Sequence, residues 1–338
     1  MTLVRERRHR QPLNISLPPP SPAALFHHIH THHLPLPPVP PSSSDITSPD
    51  STAIDSLSDL ERLTTLGHGN GGIVYKVRHR PTGSIFALKV LRFDNNTATI
   101  CRQAAREAEI LKRVDSPYIV RCYAVFNSEN YLGFAMEHME RGSLNDVLLV
   151  SKRLPENVIS GVAWRVLHGL QYLHRVQIVH GDIKPSNLLI NAEGDVKIAD
   201  FGVSRVVVGK HDYHEAHMGT RAYMSPERFD PEGWDGDNAD GYSGDVWSLG
   251  VVVLECLVGH YPLIGSGEKP DWAALVCAIC SGKRLELPAN ASPELQSFLQ
   301  RCLEKEWNKR GTVDELLDHP FVNKSCCDQG LPGLDLQA

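Results

Sequence analysis

A glycine-rich run near residue 70 constrains the fold more than any other feature. Residues 67–72 read GHGNGG, and the β-branched and apolar residues 73–77 follow directly. A dinucleotide-binding glycine loop opens into a helix, whereas this loop opens into a predicted strand. A strand, glycine loop and second strand can fold over phosphate groups, because backbone N–H groups approach closely where no Cβ intervenes. Taken alone, the run is equally compatible with a simple glycine hairpin.

The surrounding sequence predicts strands first and helices later. Three short runs rich in β-branched or aromatic side chains are bounded by glycine or proline: residues 63–66, 73–78 and 85–91. Residues 99–113 have apolar side chains at helical spacing, and beyond about residue 140 helices dominate, as in 156–174 and 244–258. This order predicts an α+β fold with two lobes.

Proline is concentrated at the start of the chain. Eleven of the 23 prolines lie in the first 50 residues, and proline neither completes a sheet ladder nor continues a helix. We therefore predict a disordered, Pro- and His-rich arm over residues 1–55. Residues 324–338 are predicted to be a flexible tail.

Composition excludes several classes of protein. A net charge of −6 argues against a nucleic-acid-binding protein, and no apolar run approaches the roughly 18 residues of a membrane span. The eight cysteines have no regular spacing, and the first residues lack an apolar signal segment. We expect free thiols in a reducing compartment, with no nucleic-acid or membrane partner.

A lysine stands in the predicted strand 85–91. Lys89 follows Ala87 and Leu88, and a buried ammonium requires an anionic partner. Glu107, on the following helix, is the partner we expect, with Glu109 as the alternative. A surface lysine that extends to solvent also fits this fragment alone.

Two later segments carry polar side chains of complementary chemistry. Residues 180–190 place a carboxylate, an ammonium and an amide close together, in Asp182, Lys184 and Asn187. Asp200 follows an apolar run and precedes Phe201 and a glycine. A carboxylate at a strand end fits Mg²⁺, which prefers few protein oxygens beside phosphates and water.

Together these motifs occur in the order and spacing of eukaryotic protein kinases, which residues 56–323 resemble. The resemblance implies a β-rich N-lobe over 56–138 with one helix and a mainly helical C-lobe over 139–323. It implies binding of ATP and Mg²⁺. The residues that it assigns to the nucleotide site are Leu66, Gly67, Gly69, Gly72, Val74, Ala87, Lys89, Glu107, Met136, Met139 and Leu189.

The same resemblance implies catalytic roles. Asp182 would orient the substrate hydroxyl and accept its proton, and Lys184 would neutralise the γ-phosphate. Lys89 would hold the α- and β-phosphates, while Asn187 and Asp200 would hold Mg²⁺. Such an arrangement suits phosphoryl transfer, which depends on alignment and charge neutralisation.

Further positions carry implied structural roles. Glu227 would pair with Arg310, and Asp245 would brace the catalytic loop from the central helix. Thr220 would contact Asp182 and Lys184.

Three segments, residues 116–120, 136–144 and 219–228, narrow the resemblance to mitogen-activated protein (MAP) kinase kinases. Residues 261–273 are similar to the short plant members of that group. The resemblance implies a dual-specificity kinase that phosphorylates Thr and Tyr in the activation loop of a MAP kinase. An upstream MAP kinase kinase kinase is the implied activator.

The N-terminal arm resembles a MAP kinase docking motif over residues 5–17. A basic cluster precedes apolar residues at alternate positions, which share one face of an extended peptide. A featureless basic tail is the alternative. The residues of the motif are Arg5, Arg7, Arg8, Arg10, Leu13, Ile15 and Leu17.

The chain departs from the family pattern at two places. Gly181 stands where most kinases switched by loop phosphorylation have an arginine that binds the loop phosphate. The loop itself, residues 203–218, has only Ser204 and Tyr213 as hydroxyl residues. We therefore expect a kinase that is not controlled by the usual Ser/Thr phosphorylation of its loop.

Two alternatives follow from these departures. One is a weakly active or inactive kinase-fold scaffold that docks MAP kinases, and the other is a Ser/Thr kinase of another signalling group. We expect the chain in the cytosol, with entry to the nucleus, because substrate kinases of this type shuttle there.

Overall fold

The computed structural model describes residues 54–69, 72–93, 98–128, 131–207, 220–264, 272–280 and 287–323. The docking motif, the tail and loop residues 208–219 lie outside these ranges. Ile54 is buried in a small apolar cluster with Tyr75 and Phe86, so the packed domain already includes this residue of the range assigned to the arm.

Five antiparallel strands form the first sheet, in the order β1-β2-β3-β5-β4. They are β1 (Leu60–Gly69), β2 (Gly72–His79), β3 (Ile85–Arg92), β4 (Cys122–Ser128) and β5 (Tyr131–Glu137). Strand β1 is longer than the predicted 63–66, because it pairs with β2 along its polar as well as its apolar residues. Pairing to a neighbour, rather than apolar content, sets where a strand ends.

Alternation along β3 gives the sheet two different faces. Leu88 packs with Tyr75 and Val77 in the small cluster on one face. Lys89 and Ala87 therefore lie on the other face, because successive side chains of a strand point to opposite sides.

Helix α1 (Ala98–Leu111) follows the third strand. Ala104, Ala108 and Leu111 are buried, which confirms these positions of the predicted apolar stripe. The helix ends two residues before the predicted end at 113. A turn follows the helix directly, in which Arg113 N donates to Ile110 O at 3.0 Å.

The second half of the described chain is mainly helical. The helices are α2 (Leu144–Ser151), α3 (Glu156–Arg175), α4 (Pro226–Phe229), α5 (Tyr242–Val258), α6 (Trp272–Cys280), α7 (Pro293–Cys302), α8 (Val313–Leu317) and α9 (Pro320–Asn323). Helix α5 lies at the centre of the main core, where Trp247 is fully buried. Among the residues described, no helix is both long and apolar enough to cross a membrane.

Two short antiparallel pairs position the loops between α3 and α4. Strand β6 (Ile178–Val179) pairs with β9 (Arg205–Val206), and β7 (Leu188–Ile190) pairs with β8 (Val196–Ile198). The molecule thus has a β-sheet lobe followed by a helical lobe. This confirms the predicted α+β, two-lobed kinase fold.

Candidate active site

The sheet register gathers the predicted nucleotide residues on one face. Val74 pairs with Lys89, and Ala87 pairs with Met136. Directly opposed residues of antiparallel strands project to the same side. Gly67 of β1 pairs with Val74, and Gly69 pairs with Gly72.

Lys89 joins the two lobes. Its Nζ donates to Glu107 Oε1 at 2.7 Å and to Asp200 Oδ1 at 2.8 Å. The predicted pairing with Glu107 rather than Glu109 is present. Burial alone would lower the pKa of Lys89, but the charges of Glu107 and Asp200 outweigh it and raise that pKa. The ammonium therefore keeps its charge in a site from which water is largely excluded.

The β7–β8 pair brings Asn187 and Asp200 together. Asn187 precedes β7 and Asp200 follows β8, and Ala199 N donates to Asn187 O at 2.9 Å. Asp200 adopts a left-handed φ of 67°. Burial tends to raise the pKa of Asp200, yet the ammonium of Lys89 holds that pKa below its ordinary value.

Asp182 is surrounded by donors. Its carboxylate lies 2.7 Å from Lys184 Nζ, 2.8 Å from Thr220 N and 3.1 Å from Asn187 Nδ2. Burial would raise the pKa of Asp182, but the hydrogen bonds from Lys184 and Thr220 lower it overall. The Asp182 carboxylate is thus ionised and held in a fixed orientation, ready to accept a hydrogen bond. Its lowered pKa makes it a weak base until phosphoryl transfer begins.

Thr220 closes this cluster. Lys184 Nζ donates to Thr220 Oγ1 at 2.5 Å, while Thr220 N donates to Asp182. The predicted contact of Thr220 with both residues is confirmed. It ties the segment that follows loop residues 203–218 to the two residues predicted to be catalytic.

Asp245 braces the catalytic loop from α5, as predicted. Its carboxylate accepts from His180 N at 2.9 Å, Gly181 N at 2.8 Å and His174 Nε2 at 3.0 Å. Burial tends to raise the pKa of Asp245, but the hydrogen bond and charge of His174 reverse this and lower it. A buried carboxylate with three donors is a rigid anchor.

Glu227 and Arg310 form the predicted ion pair. Arg310 donates to both carboxylate oxygens, at 2.7 and 2.9 Å, and both side chains are almost completely buried. This bidentate contact fixes α4 against the segment between α7 and α8.

Comparisons with known proteins agree with this geometry. Residues 60–322 match the family model of the protein kinase domain. The chain is 53% identical to mitogen-activated protein kinase kinase 10 of Arabidopsis thaliana, over 95% of this chain and 99% of that protein. The chain belongs to the plant mitogen-activated protein kinase kinases.

Two further relatives support the assignment. Mitogen-activated protein kinase kinases 7 and 9 of Arabidopsis thaliana are 45% and 44% identical, each over 96% of this chain. The chain is an ATP-dependent protein kinase, as its sequence predicted.

The residues predicted for the nucleotide site of this MAP kinase kinase differ in exposure. Leu66 is 48% exposed, whereas Ala87 and Met139 are each 8% exposed. Gly72 is required by sheet packing, since a Cβ there would lie 2.7 Å from the backbone oxygen of Val90. By contrast, a Cβ at Gly67 would have no neighbour within 4 Å. The remaining predicted pocket residue, Leu189, is half-buried in β7.

Asn187 and Asp200 suit a bound Mg²⁺. The amide nitrogen of Asn187 is engaged by the backbone and side-chain oxygens of Asp182, which leaves the amide oxygen as the atom suited to a cation. The Asp200 carboxylate supplies a second hard oxygen. Two protein oxygens beside a phosphate site match the preference of Mg²⁺.

Three residues of the site were not assigned by sequence reasoning. His174 donates to Asp245, Ser204 Oγ donates to His180 O at 2.9 Å, and Arg228 Nη1 donates to Gly181 O at 2.8 Å. No local pattern marks His174 or Ser204. Arg228 ends the segment 219–228 that resembles the MAP kinase kinases, but no local pattern marks its contact with Gly181.

Proposed function

We propose that this kinase transfers the γ-phosphate of Mg²⁺-bound ATP to Thr and Tyr in the activation loop of a MAP kinase. The observation that carries the proposal is the contact of Lys89 with both Glu107 and Asp200. One ammonium joins the sheet, helix α1 and the candidate metal carboxylate. Phosphoryl transfer requires this alignment of groups from both lobes.

Asp182 is the residue that we assign to the substrate hydroxyl. Its lowered pKa keeps the carboxylate ionised, so it accepts a hydrogen bond from the hydroxyl and takes the proton as phosphoryl transfer proceeds. Lys184, 2.7 Å away, would neutralise charge on the transferred phosphoryl group. Mg²⁺ held by Asn187 and Asp200 would offset the charge of the phosphates.

A reaction of the recombinant full chain with candidate MAP kinases tests this function. The MAP kinases should carry an inactivating substitution, so that they cannot phosphorylate themselves. We expect phosphate on both loop Thr and loop Tyr, lost in Lys89→Met and Asp182→Ala. Phosphate on Thr alone would overturn dual specificity, and binding without transfer would favour the scaffold alternative.

We further infer that Ser/Thr phosphorylation of residues 203–218 does not control activity. Ser204 is 2% exposed and its hydroxyl is bonded to His180 O, which makes it a poor acceptor for an upstream kinase. Phosphosite mass spectrometry of the kinase from stimulated cells, combined with activity, tests this. Stoichiometric loop phosphorylation that raises activity would overturn the inference.

We propose that the arm selects the MAP kinase. Arg5, Arg7, Arg8 and Arg10 would meet an acidic patch, while alternate apolar residues would enter a groove. The residues assigned to the groove are Leu13, Ile15 and Leu17. A MAP kinase kinase kinase is the proposed upstream partner, and cytosol and nucleus are the proposed locations, testable with a fluorescent fusion of the full chain.

A charge reversal separates docking from nonspecific attraction. Arg7→Glu with Arg8→Glu is expected to weaken capture of the MAP kinase. The matched control is Arg80→Glu with Arg92→Glu, because both side chains are exposed on the sheet lobe. Equal loss in both pairs would contradict a docking motif.

A further inference from the structure

The residue before Asp182 is fixed at both of its backbone polar atoms. Gly181 N donates to Asp245 Oδ1 at 2.8 Å, and Gly181 O accepts from Arg228 Nη1 at 2.8 Å. Two charged side chains from different helices therefore hold one glycine. Glycine has no side chain of its own to anchor the loop, and its φ here is 78°.

The side chain of Arg228 extends from α4 to Gly181 past a second glycine, Gly244. A Cβ at Gly244 would lie 3.1 Å from Arg228 Cδ, so the glycine leaves room for the arginine stem. A Cβ at Gly181 would lie 3.6 Å from Arg228 Nη2. The guanidinium thus occupies the space beside position 181, where a larger residue would project.

Arg228 carries its charge in surroundings that disfavour it. Burial lowers its pKa most strongly and the charge of Arg205 lowers it further, while the carboxylates of Asp245, Glu227 and Asp182 offset only part of this. Arginine stays protonated under such conditions. A hydrogen bond from a charged donor to a carbonyl is stronger than one from a neutral donor. The hydrogen bond from Arg228 to Gly181 O is therefore well suited to hold the loop.

The segment from Thr220 to Arg228 touches the catalytic loop at both of its ends. Thr220 N donates to Asp182 at one end, and Arg228 donates to Gly181 at the other. Between them, Tyr223 N donates to Thr220 O and Arg228 N donates to Ser225 O. The segment from Thr220 to Arg228 is consequently fixed at both ends beside Asp182, the residue assigned to the substrate hydroxyl.

We propose that Arg228 is a positioning residue for phosphoryl transfer. By holding the carbonyl of Gly181, it aligns Asp182 with the hydroxyl of the protein substrate. It supplies from within the chain a link that switched kinases obtain from an arginine at position 181 and a loop phosphate. The inference rests on the proposed kinase function. It explains how the catalytic loop keeps its geometry with glycine at 181 and no usual phosphate acceptor.

Steady-state kinetics of the full chain test the proposal by comparing wild type with Arg228→Gln and Arg228→Lys. We expect Arg228→Gln to lower kcat by about 100-fold, the scale of a 1 Å misplacement, with KM for ATP within about twofold. Arg228→Lys should recover part of kcat, because an ammonium can donate to Gly181 O. Arg301→Gln is the control, since Arg301 is an exposed arginine on α7 paired with Glu315.

Folding and substrate identity are separated by two further measurements. Assays are run well below the unfolding midpoint of each variant, and slow ATP hydrolysis without protein substrate is measured in parallel. If no MAP kinase is phosphorylated by wild type, ATP hydrolysis still reports on Arg228, so the two proposals fail separately. Unchanged kcat in Arg228→Gln, equal losses in Gln and Lys variants, or a parallel rise of KM for ATP would overturn the positioning role.

Discussion

Lys89 Nζ lies 2.7 Å from Glu107 Oε1, and this contact joins the sheet to helix α1. The carboxylate is 2% exposed and the lysine 7% exposed. An ammonium and a carboxylate this deeply buried are stable only together, because either alone would be an uncompensated charge. The position of α1 against the sheet is therefore coupled to the position of the Lys89 ammonium.

Replacing Glu107 should affect catalysis, whereas replacing Glu109 should not. Glu107→Gln keeps the side-chain shape but removes the charge that orients Lys89. We expect kcat/KM for ATP to fall by about 100-fold, the scale of a misplaced catalytic group. Glu109→Gln is the matched control on the same helix, with an expected change below about twofold, typical of a site that touches no reacting group. Equal losses in the two variants would show that α1 charge in general, not the contact with Lys89, matters.

The buried ion pair between Glu227 and Arg310 should dominate the stability of its region. Arg310→Gln leaves the Glu227 carboxylate buried without its bidentate partner, which should cost about 3–5 kcal/mol of unfolding free energy. The midpoint of thermal unfolding should fall on the order of 10 °C. Lys309→Gln is the control, because Lys309 is an exposed neighbour paired with Glu306. A midpoint for Arg310→Gln that matches this control would refute the prediction.

The same pair predicts a pH dependence with a defined sign. Burial would raise the pKa of Glu227, but the hydrogen bonds and charge of Arg310 lower it overall. The stabilisation is complete above the ordinary glutamate pKa of about 4.3 and is lost as the pH falls through the lower folded value. Unfolding midpoints of wild type and Glu227→Gln should therefore differ most near neutral pH and converge in acid. A difference that grows on acidification would contradict this assignment.

Position 181 should not tolerate a side chain without strain. Gly181 has a φ of 78°, where an L-residue costs about 1–2 kcal/mol. Gly181→Ala should lower the unfolding midpoint by several degrees, and Gly181→Arg should additionally crowd Arg228. Gly133→Ala is the control, since a Cβ there meets its nearest neighbours at 3.5 Å or more. Wild-type stability of Gly181→Ala would show that the backbone relaxes at no cost.

Local chemistry allowed much of the fold and site to be predicted. The glycine run between two strands, the lysine of β3 and the apolar stripe of α1 each follow from residues adjacent in the chain. The sequence predicted Glu107 as the partner of Lys89 with Glu109 as the alternative, and the contact of Glu107 with Lys89 decided between them. The ends of β1 were not predicted from the sequence. Pairing with β2 extends the strand to Gly69, and no single segment encodes that pairing.

The sequence by itself determined the order of the motifs, and with it the kinase family, because each motif is a short run with its own chemistry. It also revealed the glycine at 181 and the shortage of hydroxyl residues in the loop. The family resemblance also implied the brace from Asp245, but only the tertiary structure revealed that Arg228 holds the loop at Gly181. Arg228 lies far along the chain from Gly181, and such contacts arise when helices pack around a common core rather than from local preference. The contact between Arg228 and the residue before Asp182 therefore forms only once the chain is folded.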